Sequence, residues 1–260
     1  MTAAAQAAPP APLLPRRVLV IIPAYNEAES LPPLIRALAD ARLPEPWTLD
    51  VLVVSDGSTD HTAAAMAGLP ARLIELPCNL GVGGAVQTGL QFAVQQGYEF
   101  AMQVDGDGQH PPEEIPALLR RMDAGGVDMV LGSRFAAAGE GFQSTATRRL
   151  GIRLFAAMLT ALCRQRFTDT TSGFRLWNRR ALEMLAADYP EDYPEVEAIL
   201  RLHHAGLRMA EVPVRMAERT AGRSTIGAWQ VVNFLVKVPL ALFMGVSRKN
   251  GSEGRIQKVK

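Results

Sequence analysis

The sequence predicts an α/β fold, a mainly parallel sheet with helices on both faces. Three observations carry this expectation. Short apolar, β-branched runs recur through the first half of the 260-residue chain, stretches of helical length separate them, and each polar cluster stands just after such a run. Strands alternating with helices build parallel sheets covered on both faces. Ligands of such sheets gather outside the carboxyl ends of the strands.

Arg17–Pro23 (RVLVIIP) is a continuous apolar run closed by proline, the pattern of a buried parallel strand. A helix is expected from about Ser30, a suitable N-cap with proline in the first turn. Leu49–Ser55 reads as the second strand and Ala71–Leu76 as the third. Gly84–Gln96 reads as a helix, Glu99–Val104 as a fourth strand, Glu113–Asp123 as a helix and Asp128–Leu131 as a fifth strand. There is no internal repeat, and no linker divides the chain before about residue 226.

Composition bounds the function classes. The chain is 48% hydrophobic and 20% charged, as in ordinary folded domains, with a formal charge of +1. That balance gives no basis for nucleic-acid binding, so an anionic ligand must be met by local clusters of Arg or Lys. Cys78 and Cys163 form no CxxC pair, which speaks against structural metal and for a reducing compartment. Residues 1–15, rich in Ala and Pro without a basic or apolar signal region, read as a disordered leader. At the other end, residues 228–246 are strongly apolar and residues 248–260 form a basic tail.

The polar clusters then suggest chemistry. Pro23-Ala-Tyr25-Asn26-Glu27 closes strand one; a rigid proline, a ring and a carboxylate there can hold a nucleoside, although a loop leading into a helix cap explains them equally. In Ser55-Asp56-Gly57-Ser58-Thr59-Asp60, Ser58 can cap the next helix with Asp60 in its first turn, while Asp56 stands where a carboxylate can accept from a base N–H. Asn79-Leu-Gly81-Val-Gly83-Gly84 lets backbone approach a ligand at a helix start, but it also fits a simple strand-to-helix turn. The most informative cluster is Gln103-Val-Asp105-Gly106-Asp107-Gly-Gln109-His110-Pro111. Two carboxylates so close are costly unless a cation neutralises them. Magnesium is commonly held by one or two carboxylates plus substrate phosphates, and Gln109 adds a neutral oxygen. In the second half, Arg134, Arg148, Arg149, Arg175, Arg219 and Arg223 offer bidentate phosphate contacts, though each alone also reads as a surface charge. His203 and His204 are neighbours that face different sides, and neither they nor His61 and His110 have a ligand partner at diagnostic spacing.

Together PAYNE, SDGSTD, NLGVGG, DGDGQHPP, GSR and TSGFR resemble the family-2 glycosyltransferases, with most likeness to the dolichyl- and polyprenyl-phosphate sugar transferase branch; the likeness spans residues 17 to about 226. The resemblance implies a GT-A fold (Rossmann-like) over 16–226, a nucleotide-sugar donor such as GDP-mannose or a UDP-sugar, Mg2+ or Mn2+, and inverting transfer. It implies that Pro23, Tyr25, Glu27, Val54 and Asp56 contact the nucleoside. Asp105, Asp107 and Gln109 would hold the metal with Gly106 lining it, and Arg134 and Arg219 would meet the phosphates. Two departures stand out: Ser55 replaces the first of a common acidic pair, and Thr225 stands where the mannosyltransferase pattern has lysine.

The acceptor decides which groups the reaction needs. A phosphate monoester is largely ionised at pH 7, its second pKa being about 6, and needs cations for positioning. A hydroxyl needs a base, for which Asp169, Glu195 and Glu197 are candidates, and Asp107, Arg134, Asp169 and Arg175 are the expected catalytic set. The 19 residues of 228–246 would reach roughly 28 Å as a helix, short of a span of about 30 Å. Gln230, Asn233 and Lys237 form a polar stripe on it. Residues 227–247 therefore read as an amphipathic helix in the membrane interface, with the tail drawn to anionic headgroups on the cytoplasmic face. A core or homo-oligomer interface helix is the competing reading. A polyprenyl-phosphate acceptor follows from the anchor; a saccharide hydroxyl acceptor and a non-catalytic nucleotide-sugar-binding protein are the alternatives.

Overall fold

The structure, a computed structural model, describes residues 15–136, 156–190 and 194–217. All of them belong to one compact unit, Met1–Ala221. Its central strand is β1 (Arg16–Ala24), in which Val18, Leu19, Val20, Ile21 and Ile22 have no exposed surface. A strand buried on both faces needs a continuous apolar run, and RVLVIIP supplies it. β2 (Trp47–Ser55) and β4 (Phe100–Gln103) flank β1 in parallel, and β3 (Arg72–Glu75) lies outside β2. Beyond β4 come β6 (Arg175–Asn178), β5 (Met129–Ser133) and β7 (Met209–Pro213), giving the order β3-β2-β1-β4-β6-β5-β7. β6 runs antiparallel to both neighbours, while β5 and β7 run parallel to each other.

Helices cover both faces. Val18, Val20 and Ile22 point to the face where α1 (Leu31–Ala39) and α4 (Ile115–Asp123) bury Leu31, Ile35, Leu38, Ile115, Leu118 and Leu119. Leu19 and Ile21 point to the other, where α3 (Gly81–Gln95) packs beside α6 (Arg179–Ala187). α3 comes so close that a Cβ on Gly89 would lie 2.3 Å from Ile21 Cγ2. Shorter pieces are α2 (Thr62–Ala65), a 3-10 turn at Pro112–Glu114, α5 (including residues 156–163) and α7 (Pro194–His204).

Local details depart from expectation. Ser30 is the N-cap of α1 with proline in the first turn, as expected, but its hydroxyl makes no cap bond and turns back to the Glu27 carbonyl and carboxylate. Ser58 does not cap the following helix either; its hydroxyl accepts the Asn26 N–H. The N-cap of α2 is His61, and Asp60 just before it accepts the Thr62 N–H at 2.9 Å. α3 begins at Gly81 rather than Gly84, with Asn79 Oδ1 accepting the Gly81 N–H. β6 and β7 were not among the expected strands. RLWN is too short to show a period, and MAEVP is a half-exposed edge strand. The apolar segment 228–246 lies outside the described residues, and no described helix is long and apolar enough to cross a membrane.

Candidate active site

Six of the seven strands run in one direction, so the carboxyl ends of β1, β2, β4 and β5 face the same edge. The loop that enters antiparallel β6 opens at that edge too. The clusters PAYNE, SDGSTD, DGDGQ, GSR and TSGFR are therefore brought together by topology.

The first two loops are stitched into one wall. Asn26, with φ of 57°, accepts through Oδ1 from the N–H of Thr59 at 2.8 Å and of Asp60 at 3.3 Å. The Glu27 N–H donates to Thr62 Oγ1 and the Ala28 N–H to Asp60 Oδ2. Asp56 is buried; its N–H donates to the Ala24 carbonyl and its Oδ1 accepts from the Leu80 N–H at 2.7 Å. Gly57 needs its positive φ of 64° and its missing side chain, since a Cβ would lie 2.6 Å from the Cys78 carbonyl carbon. Tyr25 is exposed and Pro23 and Glu27 are half-buried, so all three can face a ligand. Val54 cannot offer its side chain, which is wholly buried in β2, opposite Pro23 in register.

The acidic segment forms the floor. Gly106 is pressed against β1, where a Cβ would lie 3.2 Å from the Pro23 carbonyl and 3.6 Å from Glu27 Cγ. Asp107 is buried and Oδ1 accepts the Gln109 N–H at 3.0 Å. Asp105 keeps 36% of its side chain exposed, with Oδ1 accepting from Gln103 Nε2 at 3.1 Å. Its N–H donates to His110 Nδ1 at 3.0 Å. Burial holds the His110 imidazole below its usual pKa against the charges of Asp105 and Asp107. Gly173, in the loop before β6, lies directly over Asp105: a Cβ there would be 2.6 Å from Oδ1. The Gln109 carbonyl accepts from the Ala217 N–H at 3.1 Å, so the chain after β7 returns to the acidic segment. Arg219 and Arg223, like Arg148 and Arg149, lie outside the described residues.

The cations of the second half take unequal places. Arg134 forms a fork on Asp169, with Nε to Oδ2 at 2.6 Å and Nη2 to Oδ1 at 2.7 Å; both side chains are almost wholly buried. Asp169 also accepts the Arg134 N–H, and its own N–H donates to Glu211 on β7. Glu211 further accepts from the Thr168 N–H and hydroxyl. With both oxygens bonded, Asp169 is built to orient Arg134 and is poorly placed to take a proton. Arg175 is wholly buried and donates to the carbonyls of Ser172, Thr170 and Glu195. It ties the loop before β6 to α7, its guanidinium engaged with main-chain carbonyls. Among the base candidates, Glu195 on α7 is buried and its carboxyl feels Asp105. Burial raises it, with Asp105 adding and Arg175 opposing.

Gln103, His110, Gly173 and Glu211 were not among the expected site residues. The lone histidine was visible but had no partner in sequence; its partner is the Asp105 main chain. Among the described residues no three His, Cys, Asp or Glu cluster as a metal site, so protein carboxylates alone would supply only part of a coordination sphere. His203 and His204 stand with ring centroids 6.0 Å apart on the last turn of α7, and the cysteines are free.

The model of glycosyl transferase family 2 matches residues 19–185, across the whole acidic edge of the sheet. The chain belongs to glycosyl transferase family 2. It is a glycosyltransferase, and its relatives fall in the branch its motifs resemble. It is 32% identical over 233 residues to the undecaprenyl-phosphate mannosyltransferase of Micrococcus luteus, covering 85% of this chain and 92% of that protein. Identity is also 32% over 238 residues to the polyprenol monophosphomannose synthase of Mycolicibacterium smegmatis, covering 86% of each. Among solved structures it resembles glucosyl-3-phosphoglycerate synthase of Mycobacterium tuberculosis, crystallised with Mn2+, uridine diphosphate and phosphoglyceric acid. There the TM-score is 0.65 at 21% identity, covering 85% of this chain and 78% of that one, a likeness of fold. The family-2 fold is thus GT-A-like, a mainly parallel mixed sheet flanked by helices.

Proposed function

We propose that this family-2 glycosyltransferase moves a hexosyl group from a nucleotide-sugar, GDP-mannose or a UDP-sugar, to a polyprenyl phosphate with inversion. The catalytic domain is residues 16–226, followed by an interfacial helix at 227–247 on the cytoplasmic face of the membrane. The observation that carries the reading is the convergence of Asp56, Asp105, Asp107 and Arg134 at one sheet edge, in a chain whose two 32%-identical relatives are both named for polyprenyl-phosphate mannosyl transfer.

The donor set suits Mg2+ or Mn2+. Two carboxylates, an amide oxygen at Gln109 and a partly exposed Asp105 leave positions for diphosphate oxygens. When bound, such an ion supplies Lewis-acid stabilisation of the charge that grows on the departing diphosphate. The remaining work falls to the chain. Pro23, Tyr25, Glu27 and Asp56 hold the nucleoside, and Gly106 lets the floor lie flat beneath the diphosphate. Arg134, pre-oriented by Asp169, and Arg219 meet the phosphates. An acceptor phosphate oxygen forms the new bond to the anomeric carbon while the bond to the diphosphate oxygen breaks, and the nucleoside diphosphate leaves. No protein nucleophile is needed for a single displacement with inversion. A phosphate already ionised near pH 7 needs no general base either.

A second reading has a saccharide hydroxyl as acceptor, favoured by Glu195, whose carboxyl is raised by burial near Asp105 and is suited to take a proton. Labelled nucleotide-sugars offered with polyprenyl phosphate and with oligosaccharides should label the lipid alone. In the same assay Asp107→Ala should lower transfer by at least about a hundredfold, since it removes electrostatic stabilisation worth roughly 3 kcal/mol or more. Undiminished transfer by that variant removes the metal assignment.

A further inference from the structure

His110 touches neither donor nor acceptor in the proposed reaction, yet it is buried and bonded beside Asp105. It is 3% exposed. Nδ1 accepts the Asp105 N–H at 3.0 Å, which makes Nδ1 the unprotonated nitrogen and leaves the proton on Nε2. That Nε2–H stands 3.7 Å from Asp105 Oδ2. The ring therefore bonds the main chain of Asp105 at Nδ1 and lies beside its carboxylate, outside hydrogen-bond reach at Nε2. Its flat face stacks on Phe174, with ring centroids 4.9 Å apart and planes 12° from parallel.

Phe174 is what makes this contact more than local. It is wholly buried, its carbonyl accepts the Gly132 N–H from β5, and it follows Gly173, the residue that lies against Asp105. The opposite oxygen of the carboxylate is held by Gln103 Nε2. Asp105 is thus flanked from three sides, by Gln103, by Gly173 and by His110, and His110 joins the acidic segment to the loop before β6 through the Phe174 ring.

We propose that His110 is the positioning residue of Asp105, setting the carboxylate's orientation toward a divalent cation by holding the Asp105 main chain at Nδ1 and registering it against the loop before β6 through Phe174. Groups of this kind orient ligands to metals without touching the ion, and their removal commonly costs about 10–100-fold in affinity. The proposal rests on the reading that Asp105 is a metal ligand.

The test is Mn2+ titration of the full chain by electron paramagnetic resonance of the free ion, with UDP and separately GDP present, next to thermal unfolding. His110→Phe keeps the stack and the volume but removes both nitrogens. It should weaken Mn2+ binding about tenfold or more while the folded chain persists. His110→Asn places an oxygen near the position of Nδ1 and should recover much of the loss, whereas His110→Gln, lacking that acceptor, should not. Binding by His110→Phe within twofold of the natural chain overturns the proposal. Should His110→Phe yield no folded protein, the Asn and Gln variants decide it, because Gln binding as well as or better than Asn also overturns it. If the natural chain binds no Mn2+ under either condition, the assignment of Asp105 itself falls, a separate result.

Discussion

At the scale of single residues, the close approach of Gly173 to Asp105 has a direct consequence. An alanine there would put a methyl 2.6 Å from Asp105 Oδ1, 2.7 Å from Gln103 Nε2 and 2.9 Å from Asp105 Oδ2. Either the loop lifts or the carboxylate turns, and overpacking of this kind costs about 1–3 kcal/mol. Catalysis is less forgiving, since misplacing a reacting group by about 1 Å can cost a hundredfold. Gly173→Ala should therefore fold, with a thermal midpoint lowered by several degrees, and lose about a hundredfold in transfer rate. A variant with full activity and lowered stability would mean that Asp105 tolerates rotation. The acids of this site were legible in sequence because Asp105, Asp107 and Asp56 follow apolar strands. Gly173, Gln103 and Glu211 were not. Gly173 and Glu211 act on partners that only the fold brings near, as Glu211 does on Thr168, 43 positions away, and the Gln103 amide shows its role only once the Asp105 carboxylate two positions on is placed.

At the scale of elements, β1, β2, β4 and β5 were readable because each holds a run of apolar residues that needs no partner to be recognised, while β3 offers only the pair Leu73-Ile74 between charged residues. β6 was not, because its four residues begin with Arg175, a cation that belongs in a core only once three carbonyls surround it. The antiparallel insertion of β6 also depends on Asp128, at the start of β5. Asp128 Oδ1 accepts from Asn178 Nδ2 at 3.0 Å and Arg180 Nη1 at 3.1 Å, and Oδ2 accepts from the Arg208 N–H at 2.8 Å. One carboxylate thereby joins β5, the N-cap of α6 and the entry to β7. Burial alone would raise its pKa; the bond from Arg208, the bond from Asn178 and the charge of Arg180 outweigh that and lower it. A carboxyl whose folded pKa lies below its unfolded value, about 3.9 for Asp, stabilises above that value. The stabilisation is lost as pH falls through the folded pKa. Asp128→Asn should be less stable at pH 7, on the order of 1–3 kcal/mol for charge-assisted bonds. The gap should narrow below about pH 4, as read by urea unfolding across pH 3–8. A gap that does not change with pH would show that geometry, not charge, is what Asp128 provides.

At the scale of the whole molecule, the open matter is how a water-facing catalytic edge meets a lipid acceptor. The chain is nearly neutral, at +1, so its body has no general attraction to an anionic membrane. The asymmetry sits after residue 226: an apolar stretch at 228–246 and a tail, 248–260, with five Lys or Arg against one Glu. Each basic residue near an anionic surface contributes about 1 kcal/mol, an attraction that salt screens over roughly 10 Å at 0.1 M, while burial of apolar residues is not weakened by sodium chloride screening. The two contributions can therefore be separated. The full chain should float with vesicles containing anionic lipid, and rising salt should weaken that binding without abolishing it. A chain ending at Ile226 should stay in solution at every salt concentration, since it keeps the whole unit Met1–Ala221 to which all described residues belong and lacks the apolar stretch and basic tail. Its transfer to a short, water-soluble isoprenyl phosphate should match that of the full chain, while transfer to a long polyprenyl phosphate in vesicles should show a raised KM and an unchanged kcat. Flotation of the shortened chain equal to that of the full one would place the membrane contact on the catalytic domain. Loss of both transfers together would make 227–260 part of the fold rather than an anchor.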